Sequence, residues 1–290
     1  MVDNKNLMIT RIATIFMLLM LSITITYGQK FEPLTLAKKL FGKDSVTNMG
    51  DYITGEYTGQ PNGQSFPKEV TTIFSLLGRT GKTAVVAMTI LDSLGNGLNT
   101  YLHFEKDSVW KLNAFRVLAM TGIIEQVKIE LEKMTPQQVD GIIARSKKKK
   151  KGDFLMFISR EDYYFQLGNA KLTVELDDNI AKHFVTNQAE FERIKNVAFD
   201  ELESKNGNEE GKLKLLENVK SDYRKLFISS VSFVDYEVGS NCLTFLIGGI
   251  LDNTVGYLFI KDKKDLPEMN PDRIIYIKEI GNGWYIYKTT

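Results

Sequence analysis

From Ser230 to the C-terminus the chain runs through five short segments that alternate or are continuously apolar: "SVSFVDYEV", "CLTFLIGGIL", "VGYLFIKD", "RIIYIKEI" and "WYIYKTT". Turn formers separate them at Gly239-Ser240, Asp252-Asn253, Pro267–Pro271 and Gly281–Gly283. Runs of this length bounded by Gly, Asn, Asp and Pro read as antiparallel strands. Two helical patterns precede them. In "DDNIAKHFVTNQAEFERIKNVAF" the residues Ile180, Phe184, Phe191, Ile194 and Ala198 make one stripe, with Asp177 or Asp178 as the N-cap. In "LLENVKSDYRKLF" Leu216, Val219, Tyr223 and Leu226 share a face. Helices followed by antiparallel strands bury each other's apolar faces as α+β. The fold class is therefore α+β, antiparallel sheets with packed helices, built as two related α+β units.

The first half carries the second sheet. "TAVVAMTILDS", "LNTYLHFEKD" and "WKLNAFRVL" read as three strands joined by hairpins, with Trp110, Leu112 and Ala114 on one face. "LTLAKKLFGKD" suggests a short helix, Tyr52 to Tyr57 a strand, and the rest of residues 31–80 gives no clear pattern. After these strands, "IIEQVKIELEKM" places Ile123, Ile124, Val127 and Leu131 on a helical stripe. Thr135, Pro136 and Gln138 then have the spacing of an N-cap, first helical residue and capping-box partner. That helix ends in five lysines, Lys147–Lys151, read as a solvated helix end and linker. "DFLMFISREDYYFQLGNAKLTVEL" reads as strands, or a strand and a turn. The expected division is 1–28 as a signal segment, 29–122 as a β-rich unit, 123–152 as helix and linker, and 153–290 as the C-terminal unit.

A phrase recurs across the halves. "ILDSLGNGLNTYLHF" and "ILDNTVGYLFI" each end a strand in Leu-Asp, turn, and return through Tyr-Leu. "DSVWKL" and "GNGWYI" each follow a turn with a Trp strand. Two hairpin sheets of similar design account for this, and duplication of one unit is a further expectation. The stretches "IAKHFVTNQAEFERI", "SDYRKLF", "VGYLFIKD" and "GNGWYIYK", with "TYLHFEKDSVWKLNAFRVLAMTG" in the first half, resemble a family of uncharacterised exported bacterial proteins. The order of helices and sheet is similar to nuclear-transport-factor-like and cystatin-like folds. The resemblance implies export and an α+β fold, and brings no activity with it.

Export is also read from the start of the chain. Lys5 and Arg11 precede a 14-residue apolar run, Ile12–Ile25, and "TYGQ" follows. A bilayer-spanning helix needs about 20 residues, so a secretory signal cut after Gly28 is expected, with an uncleaved membrane anchor as the alternative. The expected location is periplasmic or extracellular. Removing residues 1–28 takes Lys plus Arg from 37 to 35 and Asp plus Glu from 36 to 35, leaving a chain of zero formal charge. That gives no counterion-release drive toward nucleic acid, so none is expected as a partner. The single cysteine, Cys242, lies in an apolar run and reads as a buried hydrophobe.

Candidate chemistry is sparse. His103 and His183 are the two histidines, far apart in sequence, so neither a metal cluster nor a cofactor is expected. "LGRTGKT" lacks phosphate-loop spacing and precedes a strand, so it reads as a turn. Glu190 and Glu192 read as a solvated helix face. The aromatic set Tyr257, Tyr276, Trp284, Tyr285 and Tyr287 is the candidate ligand surface, one sheet face packing on helices and the other forming a groove. Two functions follow as expectations. The first is a non-catalytic binding protein of the cell envelope, taking a protein, peptide or apolar ligand. The alternative is a small hydrolase, isomerase or dehydratase with a cone-shaped pocket and His103 as the candidate catalytic base.

Overall fold

A computed structural model of the chain describes residues 31–43, 47–58, 62–148, 156–204, 217–233 and 242–290. Residues 1–28, expected to be a signal segment, Leu216 and Lys149–Lys151 lie outside them. Nine strands form two antiparallel sheets among the described residues. The first has the order β1(Thr71–Arg79), β2(Thr83–Leu91), β3(Gly97–Lys106), β4(Trp110–Arg116). The second has the order β5(Ser230–Ser232), β6(Cys242–Ile250), β7(Asn253–Ile260), β9(Trp284–Thr289), β8(Ile274–Gly281). Helices α1(Pro33–Leu40), α2(Thr121–Glu132), α3(Pro136–Ser146), α4(Arg160–Thr173), α5(Asp177–Thr186), α6(Gln188–Ser204) and α7(Lys220–Lys225) complete the α+β fold.

The sheets share one interior within the compact unit 33–290. Side chains alternate along a strand. Val85, Ala87 and Tyr101 thus face a core that also holds Phe245, Tyr257 and Trp284 from the second sheet. Val86, Met88 and Leu102 face the other way and are buried. There α1 lies across the sheet, with Phe41 5.9 Å from Phe115 and 6.0 Å from Tyr57. In the shared core Phe184 sits 5.0 Å from both Phe191 and Trp284, and Tyr223 is enclosed with them. Burying a phenylalanine contributes roughly 1.5–3 kcal/mol, so these rings are a main source of cohesion.

The helices correct several expectations. Residues 160–173 form α4, not strand. Tyr163-Tyr164-Phe165 favours strand locally, but Tyr163, Leu167 and Ala170 recur at helical spacing and bury one side. Ser159 Oγ accepts from Asp162 N at 3.0 Å and Asp162 Oδ2 accepts from Ile158 N at 3.1 Å, which fixes the start. The long helical stripe is two helices. Asn187 Nδ2 donates to His183 O at 2.8 Å, so a side chain competes with the backbone ladder and α5 ends there. The stripe still holds, because Ile180, Phe184, Phe191, Ile194 and Ala198 are all buried. The N-cap of α5 is Leu176, with no side-chain cap, and Asp177 is buried instead. Tyr52 to Tyr57 is not a strand. It is two short 3-10 turns, Met49–Tyr52 and Gly55–Tyr57, with Ile53 bridged to Leu112. β1 arises from the stretch without a clear pattern.

Other expectations are met residue by residue. Thr135 Oγ1 accepts from Gln138 N at 3.3 Å and Thr135 N donates to Gln138 Oε1 at 2.7 Å. "LGRTGKT" is the β1–β2 turn, where Thr80 Oγ1 accepts from Lys82 N and Thr83 N. Cys242 is buried and in no disulfide among the described residues. Both recurring phrases are hairpins, with loops of different length: Asp92 Oδ1 accepts from Leu94 N and Asn96 N, whereas Leu251 turns the second at φ 57°. Their tyrosines converge on one helix: Tyr101 reaches Asp177, and Tyr257 donates to Ile180 O at 2.9 Å.

Candidate functional site

A groove opens where the β1–β2 hairpin meets the second sheet. Its floor is apolar, from Leu77, Val85, Leu266, Met269, Ile277 and Tyr285, and its cavity volume is about 360 Å³. Arg79, Lys263, Glu268 and Glu279 stand at it with both signs of charge. Local chemistry builds each wall. The register of β1 shifts between Leu76 and Gly78, a bulge that turns Leu77 toward the shared core. Gly78 has no side chain where Met269 crosses: a Cβ there would lie 2.9 Å from Met269 Cε. On the facing wall Asp262 Oδ1 accepts from Lys264 N at 3.1 Å and starts the 3-10 turn Lys263–Asp265. Lys263 and Glu279 pair at 3.4 Å across the rim. Such an exposed pair is worth at most about 1 kcal/mol, so a ligand can exchange with it at small cost. Arg79 also lies 5.3 Å from the Trp110 ring.

No family model, curated protein or solved structure matches this chain. The site is therefore read from its own geometry. Of the five aromatic residues singled out in the sequence, Tyr285 alone lines this groove. All five are buried. Tyr257 and Trp284 belong to the shared core, whereas Tyr285 and Tyr287 pack on the other face with Cys242 and Leu258. Burial raises the pKa of Tyr257. Trp284 Nε1 donates to Glu192 Oε1 at 2.7 Å, so the half-buried Glu192 also anchors a core side chain. The Tyr276 ring lies 4.8 Å from that of Tyr101, tilted by 35°.

His103 is buried on β3 and lines neither this groove nor the second one described below. Its ring bonds the backbone of Ile275, and among the described residues Nε2 has no hydrogen-bond partner. Burial, then the charge of Arg116, pushes its pKa down to about 4, against the Ile275 bond. The charged group acting on it is a cation, and among the described residues no carboxylate is found to orient it as a general base requires. His183 Nε2 lies 3.0 Å from Leu226 O, and burial lowers its pKa. It lines the second groove, about 390 Å³, with Leu167, Lys171 and Phe227. Among the described residues no group of three His, Cys, Asp or Glu could hold a metal ion, and no helix is long and apolar enough to cross a membrane.

One polar cluster was not anticipated. Lys288 Nζ donates to Asp177 Oδ1 at 2.7 Å, with side chains 5% and 7% exposed. Tyr101 OH reaches both carboxylate oxygens at 2.9 and 3.0 Å, and Asp177 N donates to Asn99 Oδ1 at 2.8 Å. The Lys288 ammonium lies 5.6 Å from the Tyr101 ring and 5.9 Å from the Tyr276 ring. Burial first, then the negative Asp177, raises the pKa of both tyrosines. The Tyr276 hydroxyl stops short of hydrogen-bond geometry. Two signals for the cluster exist in the sequence. The alternation that turns Trp284 and Ile286 inward also turns Lys288 inward, and Asp177 precedes Ile180 and Phe184 on their helical stripe. A lysine on a core face needs an anion. The cluster links β3, α5 and β9 and lines neither groove.

Proposed function

We propose that this chain is a non-catalytic binding protein of the bacterial cell envelope, exported on its first 28 residues. Its ligand is extended and mainly apolar, and seats between the β1–β2 hairpin and residues 263–269. The observation that carries the reading is the groove itself: an apolar floor of ligand-sized volume with charged residues of both signs at its rim. Binding sites combine a largely apolar lining with a few polar groups that fix orientation. Here Arg79 suits a carboxylate end and Glu268 an amine or amide end, while the exposed Lys263–Glu279 pair can open to either.

A thermal-shift screen tests this with the purified chain, using extended peptides of alternating apolar residues and single-chain amphiphiles. Ligands that raise the melting temperature should lose that effect in Leu266→Glu, which puts a charge into the floor. Hits that shift Leu266→Glu as much as the parent chain, or reproducible turnover of a substrate, would overturn the reading.

A further inference from the structure

The four edges of the two described sheets are not treated alike. Unpaired edges invite another chain, and natural sheets blunt them with charge, shortness or cover. β5 has three described residues. β4 carries Lys111 and Arg116 and is covered by the 3-10 turns, with Thr54 N donating to Leu112 O at 2.9 Å. β8 carries Lys278 and Glu279, and its buried half lies against the first sheet through the Tyr101–Tyr276 ring contact. β1 is the exception. From Thr71 to Gly78 it reads TTIFSLLG, without Lys, Arg, Asp, Glu or Pro. Its register with β2 is regular from Thr71 to Leu76, and among the described residues no strand lies on its outer side. Ile73 is 55% exposed and Leu76 44%.

We propose that β1 is a homodimer edge: two copies of this chain pair antiparallel through Thr71–Leu76 about a two-fold axis near Phe74. The occupant is argued from self-complementarity. Two-fold pairing sets a segment against itself reversed, so any charge near the axis faces its own kind, and like charges directly opposite destabilise a strand pair. This segment has none. Pairing places only Thr, Ile, Phe, Ser and Leu across the junction and covers Ile73 and Leu76. The two four-stranded sheets then run on as one. The bulge beyond Leu76 ends the regular edge before Gly78 and Arg79, so the groove of the proposed function stays outside the pairing.

Sedimentation velocity over a dilution series of the purified chain tests this. The parent chain should move from monomer to dimer within the micromolar range. Ser75, exposed beside the axis, supplies the decisive variants. Ser75→Lys and Ser75→Glu should each stay monomeric with unchanged circular dichroism, and an equimolar mixture should regain the dimer through opposite charges. A parent chain that is monomeric throughout, or a dimer that persists in both charged variants, would overturn the proposal. So would a monomer that instead adds an extended peptide along β1.

Discussion

At the scale of single residues, His103 ties burial to pH. Its unfolded reference is a pKa of about 6.5, and the folded chain holds it down to about 4. The folded state therefore disfavours the proton. Above the unfolded value the group adds no pH dependence. As pH falls from there toward 4 the unfolded chain takes up the proton first, and stability drops. The full difference is about 3 kcal/mol. His183 is depressed in the same direction by burial and adds to the same limb. Urea unfolding of the parent chain and His103→Gln between pH 7 and 4 should give a shallower acid decline in the variant. An identical slope in the two proteins would remove His103 from the account. Phe227 shows a different residue-scale constraint. It sits at φ 59°, unusual for a bulky side chain, while Asn169 Nδ2 bonds its carbonyl at 2.8 Å and Gly168 leaves room for its ring.

At the scale of elements, end chemistry decides where helices start. α3 buries Val139 but otherwise shows much of its surface, so its first turn depends on the capping box. Thr135→Ala should cost about 1 kcal/mol of local helix stability, read as faster hydrogen exchange at the Gln138 amide, and Thr135→Ser should retain protection. Unchanged exchange in the alanine variant would show that packing alone holds the turn. This cap was legible because its partners are three residues apart in sequence. Ser159 and Asp162 have the same spacing, yet the adjacent Tyr-Tyr-Phe run reads as strand. There a tertiary surface, formed by Leu131, Val139 and Phe157, rewards helical burial of Tyr163 over local β preference. The break at Asn187 was also present in the sequence as a polar residue in the stripe, but only its bond to His183 O makes it an end.

At the scale of the whole molecule, the Asp177–Lys288 pair joins parts 111 residues apart. Removing one partner of a buried pair strands a charge and costs about 3–5 kcal/mol, while replacing both by apolar groups costs far less. Asp177→Leu and Lys288→Met should each destabilise strongly, and the double variant should be markedly more stable than the sum of the two losses. Chemical denaturation of the four proteins closes the cycle. Additive losses would mean that the two groups act independently.

The sequence alone determined most of the strands, the amphipathic stripes, the hairpin turns and the Thr135–Gln138 cap, because each is set by residues a few positions apart. It therefore specified α+β and much of the core, including Phe184, Phe191 and Tyr223. The tertiary structure decided which faces meet. It buried Tyr257, Tyr276, Trp284 and Tyr287 inside, placed Tyr285 beside the bulged end of β1, and enclosed Lys288 against Asp177. Those outcomes depend on how two sheets pack across a shared interior, and burial, groove shape and the pairing of distant charges exist only once that packing is made.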